Sequence, residues 1–327
     1  MKNRIIKFLK IIGLYKTYEV PKRVTQNYTE LDPVKLSLLN TIISDYCKPE
    51  NYSSNEKRLI DIEVLLTVRL INFRKFHIPF LFETIGLKNK QILEIGCGTG
   101  SSTVALSEQG AVVTGIDIDE HALSIARKRL ELHGLNPSLQ NINAVNIKEE
   151  YGNKEWDMVI FFASLEHMTP GERKKSLKDA YALLKNGGHL CIFGSPNRLW
   201  PYDSHTSELP FYLWLQDEIA LDYSLFSPRP EFAKMNKNNI NTAYNELYRW
   251  GRGVSFHEIE VGINKEASKL KVVGSLPIFL RRYSVVQWIS YRRSSEYKYK
   301  KLLSEYGPKN IHPGFYECYI DVIIEKD

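Results

Sequence analysis

The stretch Gln91–Leu106, QILEIGCGTGSSTVAL, constrains the fold of this chain more than any other. Ile92, Leu93 and Ile95 form a short apolar run that predicts a buried strand. Gly96, Gly98 and Gly100 follow. Glycines in such a turn let the backbone take positive φ and approach a ligand closely. Ser101, Ser102 and Thr103 then offer N-cap hydroxyls to a helix expected to begin with Val104, Ala105 and Leu106. The start of that helix presents free N–H groups behind the turn.

The next residues extend the pattern. Val112 to Ile116 reads as a second apolar strand ending at Asp117. A carboxylate about twenty residues after a glycine turn can accept two hydrogen bonds from ribose hydroxyls. Asp119 is placed to cap the helix whose inner face is Ala122, Ile125, Ala126 and Leu130. The roles assigned are ribose for Asp117 and cap for Asp119. The spacing G-x-G-x-G is one residue short of the dinucleotide fingerprint, so a nicotinamide enzyme is the weaker rival.

With Glu94 in front, the turn reads E-x-G-x-G-x-G and resembles motif I of the class I S-adenosylmethionine-dependent methyltransferases. The resemblance runs over roughly 90–195 and implies an α/β fold, a seven-stranded Rossmann-like sheet with helices on both faces. It implies S-adenosylmethionine as cofactor, contacted by Glu94, Gly96, Cys97, Gly98, Thr99, Gly100, Asp117, Ile118 and Ala163. Leu139 to Asn143 is expected as the third strand. The family places an acid after it to meet adenine, and this chain has Val145 there. Asn146, Asn143 or the backbone of Val145 can take that contact instead. Met158 to Phe162 is the fourth strand, Gly171 to Leu184 a helix, and Asn186-Gly187-Gly188 its stop. His189 to Gly194 is the fifth strand, and K-N-G-G-H before it resembles the family's L-K-P-G-G, with Asn186 in place of proline.

The acceptor side is expected at the carboxyl ends of the fourth and fifth strands, where ligands of such sheets bind. FASLEHM follows the fourth strand and supplies Glu166 and His167. An imidazole can take a proton from a hydroxyl nucleophile. After the fifth strand, SPNRLWPYDSHTSELPFYLWL is polar, aromatic and proline-rich, as suits a substrate-facing loop. Its P-N-R turn and D-x-H resemble a subgroup of bacterial small-molecule methyltransferases. His167 and His205 are the candidate bases, and Asn197, Arg198 and Asp203 the candidate substrate contacts. Asp203 can orient His205 or share a metal with it, but two ligands do not make a metal site, so none is expected.

Beyond this core, 1–85 is expected as an N-terminal helical extension, 86–200 as the cofactor-binding core, and 201–327 as a substrate-binding insertion with the closing strands. Helices are predicted near 33–47 and 56–84, the second with Leu59, Ile62, Leu66, Leu70 and Phe73 at helical spacing. Tyr28, Arg69 and Arg74 can reach the site from this extension. Residues 222–262 suggest a lid, 252–263 either a strand or a helix start, 271–276 a sixth strand, 284–306 a helix and 316–325 an antiparallel closing strand. Residues 3–12 form a basic amphipathic segment that can dock on protein or touch an anionic membrane. The run 281–301 mixes Arg and Lys with Tyr and Trp, a pattern open to nucleic acid as well as to a packed helix.

The four scattered cysteines, without C-x-x-C, argue against a structural zinc site and suit a reducing cytosol. A net charge of +6 favours anionic partners only weakly. The expected function is methyl transfer to a small-molecule oxygen, a sugar or lipid-linked glycan among the acceptors considered. An RNA or protein methyltransferase and a silent cofactor-binding protein are the alternatives. FASLEH stands where a base N-methyltransferase would carry an N-P-P-Y-like motif.

Overall fold

The structure, a computed structural model, describes residues 28–152, 154–235, 239–282 and 285–327; the segment 3–12 lies outside them. Among the described residues one sheet runs in the order β3-β2-β1-β4-β5-β7-β6. Its strands are β1 (Gln91–Ile95), β2 (Val112–Asp117), β3 (Ser138–Asn141), β4 (Trp156–Phe162), β5 (Leu184–Pro196), β6 (Lys271–Ser275) and β7 (Tyr319–Glu325). β1 to β5 are parallel, and β7 runs antiparallel between β5 and β6. Strand order reverses at β1 and β4, the switch point at which such sheets bind ligands.

The near-continuous apolar run of β4 follows from burial on both faces. Trp156, Val159 and Phe161 enter one core and Met158, Ile160 and Phe162 the other, and β1 divides in the same way between Leu93 and Ile92. From Met158 onward this is the two-residue period of a pleated strand, and Trp156 falls out of phase at the register shift between Trp156 and Met158. Both cores are roofed by helices. α1 (Pro33–Tyr46) starts at Pro33 with Asp32 as N-cap. α2 runs without interruption over 55–85 and contains π-helical turns at Val64–Val68 and Phe73–His77. α3 (Ser101–Ser107) and α4 (Glu120–Leu132) follow β1 and β2. α5 (Pro170–Ala182) opens on a capping box between Thr169 and Glu172. On α2, Ile62, Leu66 and Leu70 are buried, whereas Leu59, in its first turns, is exposed.

Several boundaries depart from the sequence reading. β3 ends at Asn141, and Asn143 instead caps the turn Ala144–Asn146. α5 stops at Ala182, because Leu184 already pairs with Trp156 on β4. Residues 252–263 resolve into a helix, α7 (Phe256–Ile263), opened by a Ser255–Glu258 capping box. It follows α6 (Ile240–Trp250). The region 284–306 divides into Val285–Arg293 and Ser295–Tyr306, broken where Ser294 caps the second helix. The insertion has a small core of its own, including Leu209, Tyr212, Phe232 and Leu247. No helix of the described residues is long and apolar enough to cross a membrane.

Candidate active site

The glycine turn lies at the carboxyl end of β1, with Gly96, Gly98 and Gly100 at φ +78°, +50° and +81°. A Cβ on Gly96 would sit 2.6 Å from the Cβ of Ser164, where the β1 loop passes the β4 loop. A Cβ on Gly98 would meet nothing within 4 Å, so the tip of the turn is the part left open. Below it, Glu94 is fully buried and accepts hydrogen bonds from Ser102 Oγ and, at 2.6 Å, from Thr103 Oγ1. These are two of the hydroxyls expected to cap the helix. α3 instead begins at Ser101, with Gly100 as its N-cap and no side-chain cap. Burial pushes the Glu94 carboxyl up to about 7, against the opposing pull of the two hydroxyls. Glu94 therefore fixes the loop from beneath. Cys97 and Thr99 are buried too, and burial raises the Cys97 thiol well above its usual range.

Asp117 does two jobs at the end of β2. Its Oδ2 accepts Gly98 N–H at 2.8 Å and its Oδ1 accepts Asp119 N–H at 2.9 Å. Asp119 caps α4 through His121 N and Ala122 N, and also accepts the Tyr46 hydroxyl at 2.9 Å. Beside them Ile118 is exposed, as is Ala163 at φ +46° beyond β4. Asn146 is exposed, while the N–H of Val145 is already taken by Asn143 Oδ1 at 3.1 Å.

Arg129 escaped the sequence reading. It is fully buried on α4 and is held by three carbonyls: Thr99 O at 2.8 Å, Leu65 O at 2.7 Å and Leu66 O at 3.2 Å. Leu65 and Leu66 belong to the first π-helical turn of α2. One guanidinium thus ties the N-terminal helices to the glycine turn. Burial and the nearby Arg69 charge lower its pKa to about 10. The available signal was its place on the stripe Ala122, Ile125, Ala126, at helical spacing.

On the acceptor side, the turn Leu165–His167 follows β4. Glu166 is fully buried; its Oε2 accepts Ser195 Oγ at 3.0 Å, and its Oε1 has no hydrogen-bond partner. Oε1 lies 3.9 Å from His205 Nε2, and the rings of His167 and His205 are 5.5 Å apart. His167 Nδ1 meets Arg249 O at 2.9 Å, which makes Nδ1 the protonated nitrogen because a carbonyl only accepts. Thr206 Oγ1 donates to Gly251 O at 2.9 Å and so accepts Nδ1–H of His205 at 3.0 Å. Both imidazoles therefore keep Nε2 free. Burial lowers the His205 pKa, with the Glu166 carboxylate opposing.

His167 and His205 line a cleft of about 420 Å³ with Arg69, Arg229, Glu246, Arg249 and Trp250. Arg229 donates to the carbonyls of His205 and Thr206, and Arg249 to His167 O and Glu172. Of the three residues of the extension expected to reach the site, only Arg69 does. Arg74 is buried against Glu108 at 2.6 Å, with Tyr28 stacked over its guanidinium.

Two expected substrate contacts are engaged elsewhere. Asn197 is buried, donates to Phe315 O and Glu317 O, and accepts Leu199 N–H. Its amide is spent on joining β5 to the segment before β7. Asp203 is buried and accepts the N–H groups of His205, Thr206 and Ser207 and the Ser207 hydroxyl. It sets the loop carrying His205 through the backbone and does not touch the ring. Arg198 is half-buried, its N–H donating to Val254 O.

A family described as methyltransferase domain matches residues 92–188, the span from β1 to the turn before the main pairing of β5. Residues 92–188 are thus a methyltransferase domain. Over 175 residues the chain is 26% identical to a ubiquinone biosynthesis O-methyltransferase of Coxiella burnetii, covering 54% of this chain and 67% of that one. Over 129 residues it is 30% identical to the protein of the same name in Pseudomonas fluorescens, covering 39% and 54%. The chain thus spans about half to two thirds of these relatives. Magnesium protoporphyrin IX methyltransferase of Synechocystis, solved with bound S-adenosylmethionine, overlaps 49% of this chain and 77% of its own at 21% identity and a TM-score of 0.36.

The residues around the glycine turn of this domain fit S-adenosylmethionine. The open tip at Gly98 offers the space a side chain would fill, Asp117 is joined to it, and Ile118 presents an exposed apolar surface beside the acid. Ile118, Asn146 and Ala163 are the exposed members of the expected set, and Gly96, Gly98, Asp117 and Val145 are half-buried. Glu94, Cys97 and Thr99 are buried behind them.

Proposed function

We propose that the protein transfers a methyl group to a hydroxyl oxygen of a small molecule held in the cleft beside His167 and His205. S-adenosylmethionine supplies the methyl group on a sulfonium with a good leaving group. The chain's task is then alignment, exclusion of water and removal of one proton. The acceptor oxygen forms the new bond to carbon, the carbon–sulfur electron pair stays on sulfur, and the hydroxyl proton passes to an imidazole Nε2. The observation that carries this reading is the pair of free Nε2 atoms, each set by a hydrogen bond at Nδ1. The names of the relatives, O-methyltransferases, support oxygen as acceptor. Sugars and lipid-linked glycans are hydroxyl-bearing acceptors within this reading.

Three of the cations in 281–301 that favoured an RNA or protein reading are engaged within the protein. Arg281 and Lys300 are both paired with Glu317, and Arg292 lies over Trp288 and Tyr297. The test is incubation with labelled S-adenosylmethionine and fractionated cell extract, comparing wild type with His205→Ala and His167→Ala. Label in a small molecule, reduced ~10²–10⁴-fold in one histidine variant at unchanged cofactor affinity, is the expected result. Label in RNA or protein, or full activity in both variants, overturns it.

A further inference from the structure

We infer that Glu166, His167 and His205 form a binding site for a divalent cation of the zinc and manganese class. One ligand atom from each lies within 4.8 Å of the others. A tetrahedral zinc polyhedron with bonds of ~2.0–2.2 Å has edges of about 3.5 Å, a closure within reach of small side-chain rotations. The three residues come from two different loops, after β4 and after β5.

An independent observation points to a ligand. Glu166 is fully buried, yet its Oε1 has no hydrogen-bond partner while it faces His205. An unpaired carboxylate oxygen away from water is costly, and a cation satisfies it. The histidines are prepared as ligands in the usual way of metal sites, Nδ1–H anchored on an oxygen and Nε2 left free. Two imidazoles and a carboxylate suit zinc or manganese better than magnesium, which prefers an all-oxygen shell. Both histidines border the cleft, so open coordination positions face it. Arg69, Arg229 and Arg249 stand on the same cleft and weaken the site by repulsion. Arg229 and Arg249 are held back by carbonyls and Glu172.

The site rests on this geometry alone; only its use rests on the acceptor-oxygen reading above. There, the ion would hold the acceptor oxygen and lower its pKa, so that the hydroxyl proton would pass to solvent at the mouth of the cleft and neither imidazole, its Nε2 then bound to the ion, would serve as base.

The test uses the purified full chain, stripped with EDTA and titrated with Zn²⁺ and with Mn²⁺ by calorimetry; Co²⁺ loading is followed by visible absorption. Expected is one equivalent of Zn²⁺, weakened more than ~100-fold in His205→Ala, His167→Ala and Glu166→Gln, beyond what loss of an outer hydrogen bond costs. His257→Ala, on α7, should bind as wild type. Unchanged S-adenosylmethionine affinity in each variant certifies its fold, and the histidine variants suffice if Glu166→Gln misfolds. No stoichiometric binding of any of the three ions, or binding untouched by the histidine variants, overturns the site. Absence of binding with transfer still lost in His205→Ala overturns the site and leaves the general-base reading standing. Zn²⁺ binding with transfer indifferent to EDTA upholds the site and removes its role on the acceptor.

Discussion

The carboxylate of Asp117 accepts the backbone N–H of Gly98 at 2.8 Å, joining the end of β2 to the tip of the glycine turn. The acid thus shapes the turn, and we propose that it also takes the ribose hydroxyls. Asp117→Ala should lower S-adenosylmethionine affinity by ~1–3 kcal/mol, the range for hydrogen bonds to a charged group. Asp119→Ala should cost ~1 kcal/mol of stability as a lost cap, with little effect on affinity. Titration calorimetry and denaturant unfolding on both variants separate the two. Affinity lost in Asp119→Ala alone would reverse the roles.

Gly96 and Gly98 share positive φ but differ in surroundings. A Cβ at Gly96 collides with Ser164, whereas one at Gly98 enters open space. Gly96→Ala should therefore destabilise the fold by more than the ~1–2 kcal/mol that left-handed φ alone costs. Gly98→Ala should stay near that figure and act mainly on cofactor binding. Adding Ser164→Gly to Gly96→Ala removes the atom it meets and should recover part of the loss. Equal unfolding midpoints for the single and double variants would show that the collision is relieved some other way.

Glu94 gives a pH signature with a definite sign. Its folded pKa of about 7 lies above the ordinary carboxylate value of ~4.3. The folded state then holds a proton that the unfolded state has lost between those two values. The contribution is fully present below the unfolded pKa and is lost as pH rises to about 7. Glu94→Gln cannot titrate, so the wild-type-minus-variant difference in unfolding free energy should fall from pH 4 to pH 7 and then level. A flat difference would mean the carboxylate is ionised in the fold as it is in water.

Sequence alone reached the sheet because its signals are local. Apolar runs bounded by glycine and asparagine mark β1, β2, β4 and β5, and Asp119 caps α4 as its position suggests. It did not separate Arg69 from Arg74, five residues apart on α2, because two π-helical turns flank and follow Arg69 and alter the phase of a plain α-helix. Nor could it foresee that Asn197 and Asp203 are consumed by backbone groups. Asn197 bonds residues 118 and 120 positions away, contacts that exist only once β7 has inserted beside β5. The convergence of Glu166 with His205 depends likewise on two strand ends meeting.

That separation of the arginines can be measured. Arg74 is buried on Glu108, and removing one member of a buried pair typically costs ~3–5 kcal/mol. Arg69 is exposed on the cleft, where surface changes are usually within ~0.5 kcal/mol. Arg74→Ala should lower the unfolding midpoint sharply. Arg69→Ala should leave it in place and raise KM for an acceptor that spans the cleft. An unchanged KM would remove Arg69 from the acceptor site.

Gly251 stands where α6 gives way to the loop beside His205, at φ +119°. A Cβ there would lie 2.9 Å from His205 Nδ1 and 2.8 Å from Thr206 Oγ1. Thr206 Oγ1 is the group that accepts the His205 Nδ1–H, so one methyl group would strain the anchor and the ring together. Gly251→Ala should therefore act as a displacement of His205, and a misplacement of ~1 Å at a reacting group can cost about 10²-fold in rate. Cofactor affinity should hold, since neither residue belongs to the glycine turn or to β2. The decisive measurement is the double variant. If Gly251 works only by positioning His205, then Gly251→Ala in a His205→Ala background should reduce turnover no further, the non-additivity expected of two changes acting through one group. A full second loss in that background would mean that Gly251 matters for the loop as a whole and not for the imidazole.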